Sequence, residues 1–208
     1  MAYRIEGMGF VGKNLKERLG DRGDESTVFH LACDGDSRGS NKKIVEHTRS
    51  NLGLFTEVLE ESIGKGLKRF IYVSSSEAET EHNVYAIEKR ACEKLLVVMA
   101  NEYNFDYVIV RPSNLFGKHM KFEDRQRGVI ANFIRCKVTG EPFTILDPTV
   151  TKKFTYVEDL VDVLEDSITG HTNQTVTVTS GIETSIGDLA YMIDHLYDTM
   201  LSVKLKNE

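Results

Sequence analysis

The stretch YRIEGMGFVGKNLKERLG, residues 3–20, decides the fold class, because a short strand, a glycine-rich turn and a helix follow one another directly. Gly7, Gly9 and Gly12 form a G-x-G-x-x-G pattern. In such a turn the first glycine permits a tight bend, the second lets the backbone approach a pyrophosphate, and the third lets helix and strand pack closely. Free N–H groups at the helix N-terminus suit phosphate. The stretch therefore predicts a dinucleotide-binding turn; the alternative is glycines that only bend the chain.

The same alternation of strand and helix continues along the chain. Strands are predicted for residues 26–32, 68–76 and 106–114, and helices for residues 41–66 and 84–103. The strand KRFIYVSSS is nearly continuous in apolar residues, as expected when both faces of a sheet are covered. The order predicts an α/β fold, a Rossmann-like doubly wound parallel sheet with a reduced number of strands.

Beyond Asn114 the pattern loosens into a smaller part. Helices are predicted for residues 129–140, 156–168 and 184–201, and strands for residues 141–147 and 174–180, the last returning to the sheet edge. Thr184 or Ser185 is expected to cap the final helix, with Asp188 in its first turn. We expect a dinucleotide-binding core and a small C-terminal substrate lobe. The core takes residues 1–117 and regains 154–180, and the lobe takes residues 118–153 and 181–208.

Composition narrows the function classes. The net charge of -6 argues against a general nucleic-acid binder, which usually has a basic face. No run approaches about 18 apolar residues, so no membrane-spanning helix is expected, and the N-terminus lacks the residue order of a signal peptide. The cysteines form no C-x-x-C pair, which favours the reducing cytoplasm, and are expected to pack as small apolar groups. The histidines show no metal-ligand spacing, so no metal site is predicted.

The acidic residue that usually holds the adenosine ribose has no obvious equivalent. It is expected about 20 residues after the glycine turn, at the end of a second strand. Here the first helix ends near Gly20 and the chain runs directly into the strand 26–32. Asp21, Arg22 and Asp24 lie near the expected place without a strand to position them. The cofactor is therefore predicted only as NAD or NADP.

Several segments stand in an order and spacing that resemble the extended short-chain dehydrogenase/reductase family. They are GFVGKNL (9–15), VFHLAC (28–33), Asn51, KRFIYVSSSE (68–77), YAIEKRACEKLL (85–96), VRPSNLFG (110–117) and KKFTYVEDLVDVL (152–164). The chain is most similar to the NAD-dependent epimerase/dehydratase branch, which acts on nucleotide sugars. It departs from the branch by lacking the second and third strands, and by Lys152 and Lys153 in place of Arg-Asp. The nine-residue step from Ser76 to Tyr85 resembles reductases of the capsular-polysaccharide type.

Tyr85 and Lys89 are the centre of the predicted chemistry. Their i, i+4 spacing places both side chains on one helix face. A tyrosine with a pKa of about 10 is a poor base, but a nearby ammonium and the positively charged nicotinamide of an oxidised cofactor favour the phenolate. Tyr85 is then expected to take a proton from a sugar hydroxyl. The alternative is a partly buried core tyrosine followed by a solvated lysine.

The resemblance implies roles for residues around this pair. Lys89 is expected to bind the nicotinamide ribose, and Ser76, with Ser75 as second choice, to orient the reacting oxygen. The predicted catalytic residues are Ser76, Tyr85 and Lys89. The predicted cofactor-binding residues are Gly7, Gly9, Phe10, Val11, Gly12, Leu31, Ala32, Ser74, Tyr85, Lys89 and Pro112. The predicted substrate-binding residues are Ser75, Asn114 and Lys152.

Some of these residues have plain structural alternatives. Asn114 after RPS is also typical of a turn, and Lys152 is equally well a solvated lysine. Arg111 is expected to anchor structure, whereas His119 and Arg125 lie on a charged loop and carry no specific role.

The function predicted from these observations is that of a cytoplasmic NAD- or NADP-dependent nucleotide-sugar epimerase or reductase. A nucleotide-sugar substrate is expected, with no nucleic-acid or membrane partner. The resemblance implies a homodimer contact through helices 41–64 and 85–103; the alternative is that only solvent covers the outer faces of both helices. One alternative is a relative that binds a dinucleotide for a regulatory or structural purpose without catalysis. Another is a fold that binds no cofactor.

Overall fold

A computed structural model describes residues 3–20, 26–37, 39–121 and 128–206, with side chains up to residue 197. Its centre is a five-stranded parallel sheet in the order β1-β2-β3-β4-β8. The strands are β1 (Arg4–Glu6), β2 (Thr27–His30), β3 (Arg69–Val73), β4 (Asp106–Pro112) and β8 (Gln174–Val178). The predicted α/β fold with a reduced parallel sheet is confirmed, including the return of residues 174–178 to the sheet edge.

Helices cover both faces of this sheet. On one face lie α1 (Phe10–Leu19) and α6 (Val157–Asp166), whose apolar side chains share a core with Phe29 and Ile71. On the other face lie α3 (Leu54–Gly64) and α4 (Val84–Tyr103), which share a second core with Phe70. Alternate residues of β2 and β3 point to opposite faces of the sheet, so the same two strands contribute side chains to both cores. Each fully buried Phe or Leu contributes about 2–3 kcal/mol.

The predicted single helix over residues 41–66 is wrong in detail. A 3₁₀ turn (Ser40–Lys42), α2 (Ile44–Thr48), a π turn (Arg49–Gly53) and then α3 follow one another. Apolar periodicity does not separate these helix types, because all of them keep one side of the segment against the core. Single π turns are frequent at functional sites.

The helix α4 carries the predicted catalytic pair and has clear ends. Its N-cap is Asn83, whose Oδ1 accepts a hydrogen bond from Ala86 N at 2.7 Å. Its C-cap is Asn104, which adopts a left-handed conformation with φ 56°. The first turn of α4 lies at the same cleft as the carboxyl ends of β3 and β4, where ligands bind in open parallel sheets.

The remaining elements gather around a third apolar core, called the lobe core here, which includes Phe133, Phe154 and Leu189. Helices α5 (Val129–Thr139) and α7 (Ile186–Lys206) pack together, and Ser185 caps α7 by accepting from Asp188 N at 3.0 Å. Four short strands were not predicted: β5 (Leu115–Phe116), β6 (Thr151–Lys153), β7 (Thr155–Tyr156) and β9 (Glu183–Ser185).

The strand predicted over residues 141–147 is wrong, because that segment has no strand partner. Phe143 instead packs on Phe133, with ring centroids 4.6 Å apart, and Ile145 joins the lobe core. Its apolar residues are thus used for packing and not for a sheet. The division of the chain into core and lobe at the predicted boundaries stays a prediction.

Candidate active site

The carboxyl ends of the parallel strands open into a cleft of about 960 Å³. The described structure brings nearly all the predicted site residues to its walls. These are Gly7, Gly9, Phe10, Val11, Gly12, Leu31, Ser74, Ser75, Ser76, Tyr85, Lys89, Pro112, Asn114 and Lys152. Ala32 is the exception: it does not line the cleft, and its backbone lies directly behind Gly7.

The glycine turn fits a phosphate group. Gly7 has φ +108°, and a side chain there would meet Ala32 N at 2.5 Å. A side chain at Gly12 would meet the carbonyl oxygen of Gly7 at 1.9 Å, so helix and strand approach as closely as predicted. Gly9 has no atom within 4 Å of the corresponding position, which leaves its cleft side open. Helix α1 begins at Phe10 without a side-chain cap or an acidic first turn, so its N–H groups are suited to an anion.

Tyr85 is half-buried in the first turn of α4 and faces the cleft. Burial raises the pKa of Tyr85 well above its ordinary value, and the neighbouring Cys33 and Glu77 act in the same direction. A hydrogen bond with the Ser75 side chain partly opposes this rise in pKa. Tyr85 is therefore a neutral phenol in this structure, which makes it a proton donor.

The predicted lowering of the tyrosine pKa by Lys89 is not seen. Lys89 is 2% exposed, and its Nζ donates to the carbonyl oxygen of Val73 at 2.9 Å. The ammonium lies 4.9 Å from the Tyr72 ring centroid and 5.8 Å from that of Tyr85. The ammonium is bonded at the end of β3 and lies nearer to the Tyr72 ring than to the Tyr85 ring. The alternative of a solvated lysine is wrong.

The three serines have three different environments. Ser74 is buried and its Oγ donates to Glu93 at 2.6 Å. Ser75 caps a 3₁₀ turn (Ser76–Glu79) by accepting from Glu77 N at 3.2 Å, and it also bonds Tyr85. Ser76 lines the cleft at the start of that turn. The family pattern favours Ser76, whereas the geometry brings Ser75 to the tyrosine.

Asn114 follows β4, and Lys152 belongs to β6. Asn114 has φ +38°, and its Nδ2 donates to the carbonyl oxygen of Lys153 at 2.8 Å. This bond agrees with the turn-forming alternative, although the residue also lines the cleft. Lys152 is exposed on β6 and lines the same cleft.

A buried ionic cluster below the serine turn was not predicted from the sequence. Glu93 accepts from Arg111 Nε at 2.7 Å, from Arg111 Nη2 at 2.6 Å and from Arg90 at 2.9 Å. Burial alone would raise the pKa of Glu93, but the bonds from Arg111, Ser74 and Arg90 hold it below its ordinary value. Arg111 also bonds Glu79 at 2.6 Å, so it anchors structure as expected. The sequence signal that could have indicated this cluster is an acidic residue on the apolar side of the helix.

A second buried carboxylate on α4, Glu88, was also missed. It accepts hydrogen bonds from His47, Thr48 and Asn51, which come from α2 and the π turn. Its position directly before Lys89 gave no hint of burial, because glutamate is usually exposed.

The remaining candidates lie apart from this chemistry or outside the described residues. His119 bonds Glu17 at 2.7 Å and so ties its loop to α1. Cys92 and Cys136 are buried as expected, but Cys33 is exposed and lines the cleft, so the expectation of packing is wrong there. Outside the described residues lie Asp21, Arg22, Asp24 and Arg125.

His30 is a buried polar group at the end of β2, packed among aromatic core residues. It is 1% exposed, stacks on Phe70 at 5.9 Å and has no partner at Nδ1 among the described residues. Burial, followed by the charge of Lys89, lowers the pKa of His30 to about 3, against a hydrogen bond with the backbone of Ala32. The imidazole is therefore neutral in the fold at pH 7.

Two further features are absent from the described ranges. No helix in them has both the length and the apolar composition needed to span a membrane. No group of three or more His, Cys, Asp or Glu side chains in them is arranged to hold a metal ion.

This chain is similar in sequence to a known protein family and to curated proteins. The NAD dependent epimerase/dehydratase family matches residues 16–169. UDP-2-acetamido-2,6-beta-L-arabino-hexul-4-ose reductase of Pseudomonas aeruginosa is 27% identical over 91% of this chain and 55% of its own length. UDP-glucuronic acid decarboxylase 3 of Arabidopsis thaliana is 28% identical over 56% of this chain and 34% of its own length. The chain thus spans about a third to about half of these two curated relatives.

A solved structure has the same fold. UDP-N-acetylglucosamine 4-epimerase from Methanobrevibacter ruminantium M1, in complex with UDP-N-acetylmuramic acid, superposes with a TM-score of 0.87 and 21% identity. The superposition covers 95% of this chain and 82% of that chain. At this identity the likeness concerns the fold.

Proposed function

The chain belongs to the NAD dependent epimerase/dehydratase family, and from this premise we propose that it is a NAD- or NADP-dependent nucleotide-sugar epimerase or reductase. One observation carries the proposal: the open glycine turn, the Ser75–Tyr85 pair and the buried Lys89 line a single cleft. The cofactor, when bound, supplies the nicotinamide that accepts or returns a hydride. Gly7, Gly9 and Gly12 are the residues suited to its pyrophosphate.

Tyr85 is proposed as the acid/base group. Its raised pKa keeps the proton on the phenol, which is the form needed to protonate a sugar carbonyl oxygen during reduction. In the oxidative direction the same oxygen takes the proton back from the sugar hydroxyl. The reductase relative, which matches 91% of this chain, favours the reducing direction.

Ser75 and Lys89 are proposed to position the reacting groups. Ser75 bonds the Tyr85 hydroxyl and is the better placed serine, with Ser76 beside it on the cleft wall. Lys89 donates one hydrogen bond to the carbonyl oxygen of Val73, and an ammonium group has three N–H donors. We assign its other donors to the nicotinamide ribose.

The test is Tyr85→Phe, with Tyr103→Phe at the exposed end of the same helix as the matched control. Calorimetric titration with NAD, NADH, NADP and NADPH and turnover of UDP-sugars are measured for both. We expect Tyr85→Phe to bind the cofactor but to lose at least about 100-fold in turnover, the usual size of acid–base catalysis. A fully active Tyr85→Phe enzyme contradicts the assignment. Cofactor binding by the wild type without turnover of any UDP-sugar favours the regulatory alternative.

We also propose a homodimer through α2 and α4. Their outer sides carry exposed apolar residues, with Val45 at 73%, Val98 at 63%, Ile44 at 55% and Ile87 at 52% exposure. The two helices contact each other, and exposed apolar residues on both support an interface at this surface. Val98→Glu is expected to give a monomer in sedimentation equilibrium, whereas Tyr191→Glu, on the lobe, leaves the dimer intact. A wild-type monomer at micromolar concentration contradicts this proposal.

A further inference from the structure

Glu88 is the centre of a buried hydrogen-bond cluster beside the proposed acid/base group. The residue is 4% exposed, and its carboxylate accepts from His47 Nδ1 at 2.8 Å, Thr48 Oγ1 at 2.7 Å and Asn51 Nδ2 at 3.0 Å. A carboxylate only accepts hydrogen bonds and has about four lone-pair sites. Three of them are used here by donors from one neighbouring segment, so Glu88 clamps α2 and the π turn onto α4.

Asn51 extends this clamp to the cleft wall. Its Oδ1 accepts from Asp34 N at 2.7 Å, and its Nδ2 lies 3.3 Å from the Asp34 carbonyl oxygen. Asp34 belongs to the loop after β2, whose residues Cys33, Gly35 and Ser37 line the cleft. The position of that wall is therefore set by an amide that is itself held by Glu88.

The same segment also contacts the tyrosine. The His47 ring meets the Tyr85 ring edge-on, with centroids 6.1 Å apart and an interplanar angle of 82°. The 3₁₀ turn that precedes α2 adds a bond from Tyr85 N to Ser40 Oγ at 3.3 Å. His47 Nε2 is buried without a partner among the described residues, so the ring is held through Nδ1 and its packing.

We propose that Glu88, His47 and Asn51 form a positioning unit that holds residues 40–51 and the loop after β2 over Tyr85. Its task is to keep the phenol out of water and in place for proton transfer. Glu88 and His47 are positioning residues that act through Tyr85, and the catalytic consequence rests on the function proposed above. The charged or titratable groups that face Tyr85 include Cys33, Tyr72, Glu77, Lys89 and His47, and none of these is changed in the Glu88 variants.

The experiment measures water access to Tyr85 without a cofactor. Acetylation by N-acetylimidazole at pH 7.5 is followed at each tyrosine by peptide mass spectrometry, with exposed Tyr103 as the internal reference. In Glu88→Gln one acceptor becomes an N–H donor that faces the three donors. We expect Tyr85 to be acetylated about tenfold faster in this variant and Tyr103 at an unchanged rate. Glu88→Asp keeps a carboxylate and is expected to restore most of the protection.

Two further measurements separate positioning from general loosening. Glu102→Gln removes an exposed carboxylate from the same helix and is expected to leave the Tyr85 rate at the wild-type value. The phenol titration of Tyr85, read by ¹³Cζ-tyrosine NMR and assigned with Tyr85→Phe, is expected to move down towards the ordinary value of about 10 in Glu88→Gln.

The proposal is overturned if Glu88→Gln is folded by circular dichroism and leaves both the acetylation rate and the titration of Tyr85 unchanged. If that variant does not fold, Thr48→Val removes a single donor, and a two- to threefold rise in acetylation is then expected. An unchanged rate in Thr48→Val also overturns the proposal. A wild-type protein that binds no nicotinamide cofactor refutes the proposed function, whereas these two readouts still decide on the positioning unit.

Discussion

Glu88 and Glu93 lie five residues apart on α4 and are both buried, at 4% and 2% exposure, yet their surroundings differ. Glu93 is held by two guanidinium groups, Arg111 and Arg90. Glu88 is held by an imidazole, a hydroxyl and an amide. The Glu93 cluster supports the serine turn through Ser74 and Glu79, whereas the Glu88 cluster supports the tyrosine and the loop after β2. One helix thus anchors two walls of the cleft, one by charge and one by hydrogen-bond geometry.

The difference predicts the effect of replacing the carboxylate that supports each wall. Removing one partner of a buried ion pair leaves an uncompensated charge, which is very costly. Removing the Glu88 carboxylate takes the acceptor away from three hydrogen-bond donors, which costs less but loosens the geometry. We therefore expect the Glu93 cluster to control the stability of the fold and the Glu88 cluster to control the site.

The largest effect is expected from breaking the charged cluster. Glu93→Gln leaves Arg111 with only the partly exposed Glu79, and about 3–5 kcal/mol of the free energy of unfolding should be lost. Urea unfolding at pH 7 measures the loss, with Glu102→Gln as the control on the same helix. The double variant Glu93→Gln/Arg111→Met should lose less than the sum of the single losses. Additive losses would show that the two side chains act independently.

The Glu88 cluster is expected to respond less. Glu88→Gln should lower the free energy of unfolding by about 2–3 kcal/mol, because one or two donors lose their acceptor. The same urea experiment measures it. A loss as large as that of Glu93→Gln would remove the distinction between the two clusters.

His30 is a third buried ionisable group, and it has neither a counter-ion nor a set of hydrogen-bond donors around it. The pH dependence of the free energy of unfolding therefore extends the comparison to this group. Its pKa of about 3 in the fold lies below the unfolded value of about 6.5, so the unfolded chain takes up the proton first. The stability that depends on neutral His30 is full above pH 6.5 and is lost as pH falls towards 3.

Between pH 7 and pH 5 this linkage should cost about 2 kcal/mol. Urea unfolding at both pH values measures it, and His30→Gln should remove this part of the pH dependence. His82→Gln, at an exposed position, should retain it. An equal pH dependence in the wild type and in His30→Gln would contradict the assignment.

The smallest effect is expected at the start of α4, which carries both clusters. Asn83 caps this helix through Ala86 N, and Asn83→Ala should cost about 1 kcal/mol. Asn101→Ala, exposed near the other end of the helix, serves as the control in thermal unfolding. If Asn101→Ala lowers the melting temperature as much as Asn83→Ala does, the cap has no special role.

Much of the fold was predictable because its signals are local. The apolar strand 69–73 and the glycine turn at 7–12 appear where the pattern places them. The strand predicted at 141–147 failed because apolar residues such as Phe143 pack without strand pairing, and the pattern does not separate the two uses. The π turn at 49–53 was missed because apolar periodicity is nearly the same for all helix types.

The sequence by itself determined the parallel α/β order, the glycine turn and the i, i+4 placement of Tyr85 and Lys89, since each depends on residues within one or two turns of chain. Only the tertiary structure decided that Ser75 is the serine bonded to Tyr85 and that burial raises the tyrosine pKa. It alone paired Glu88 with His47, 41 residues away, and Glu93 with Arg111, 18 residues away. Burial and long-range hydrogen bonding are properties of packed helices and strands, and no local pattern carries them.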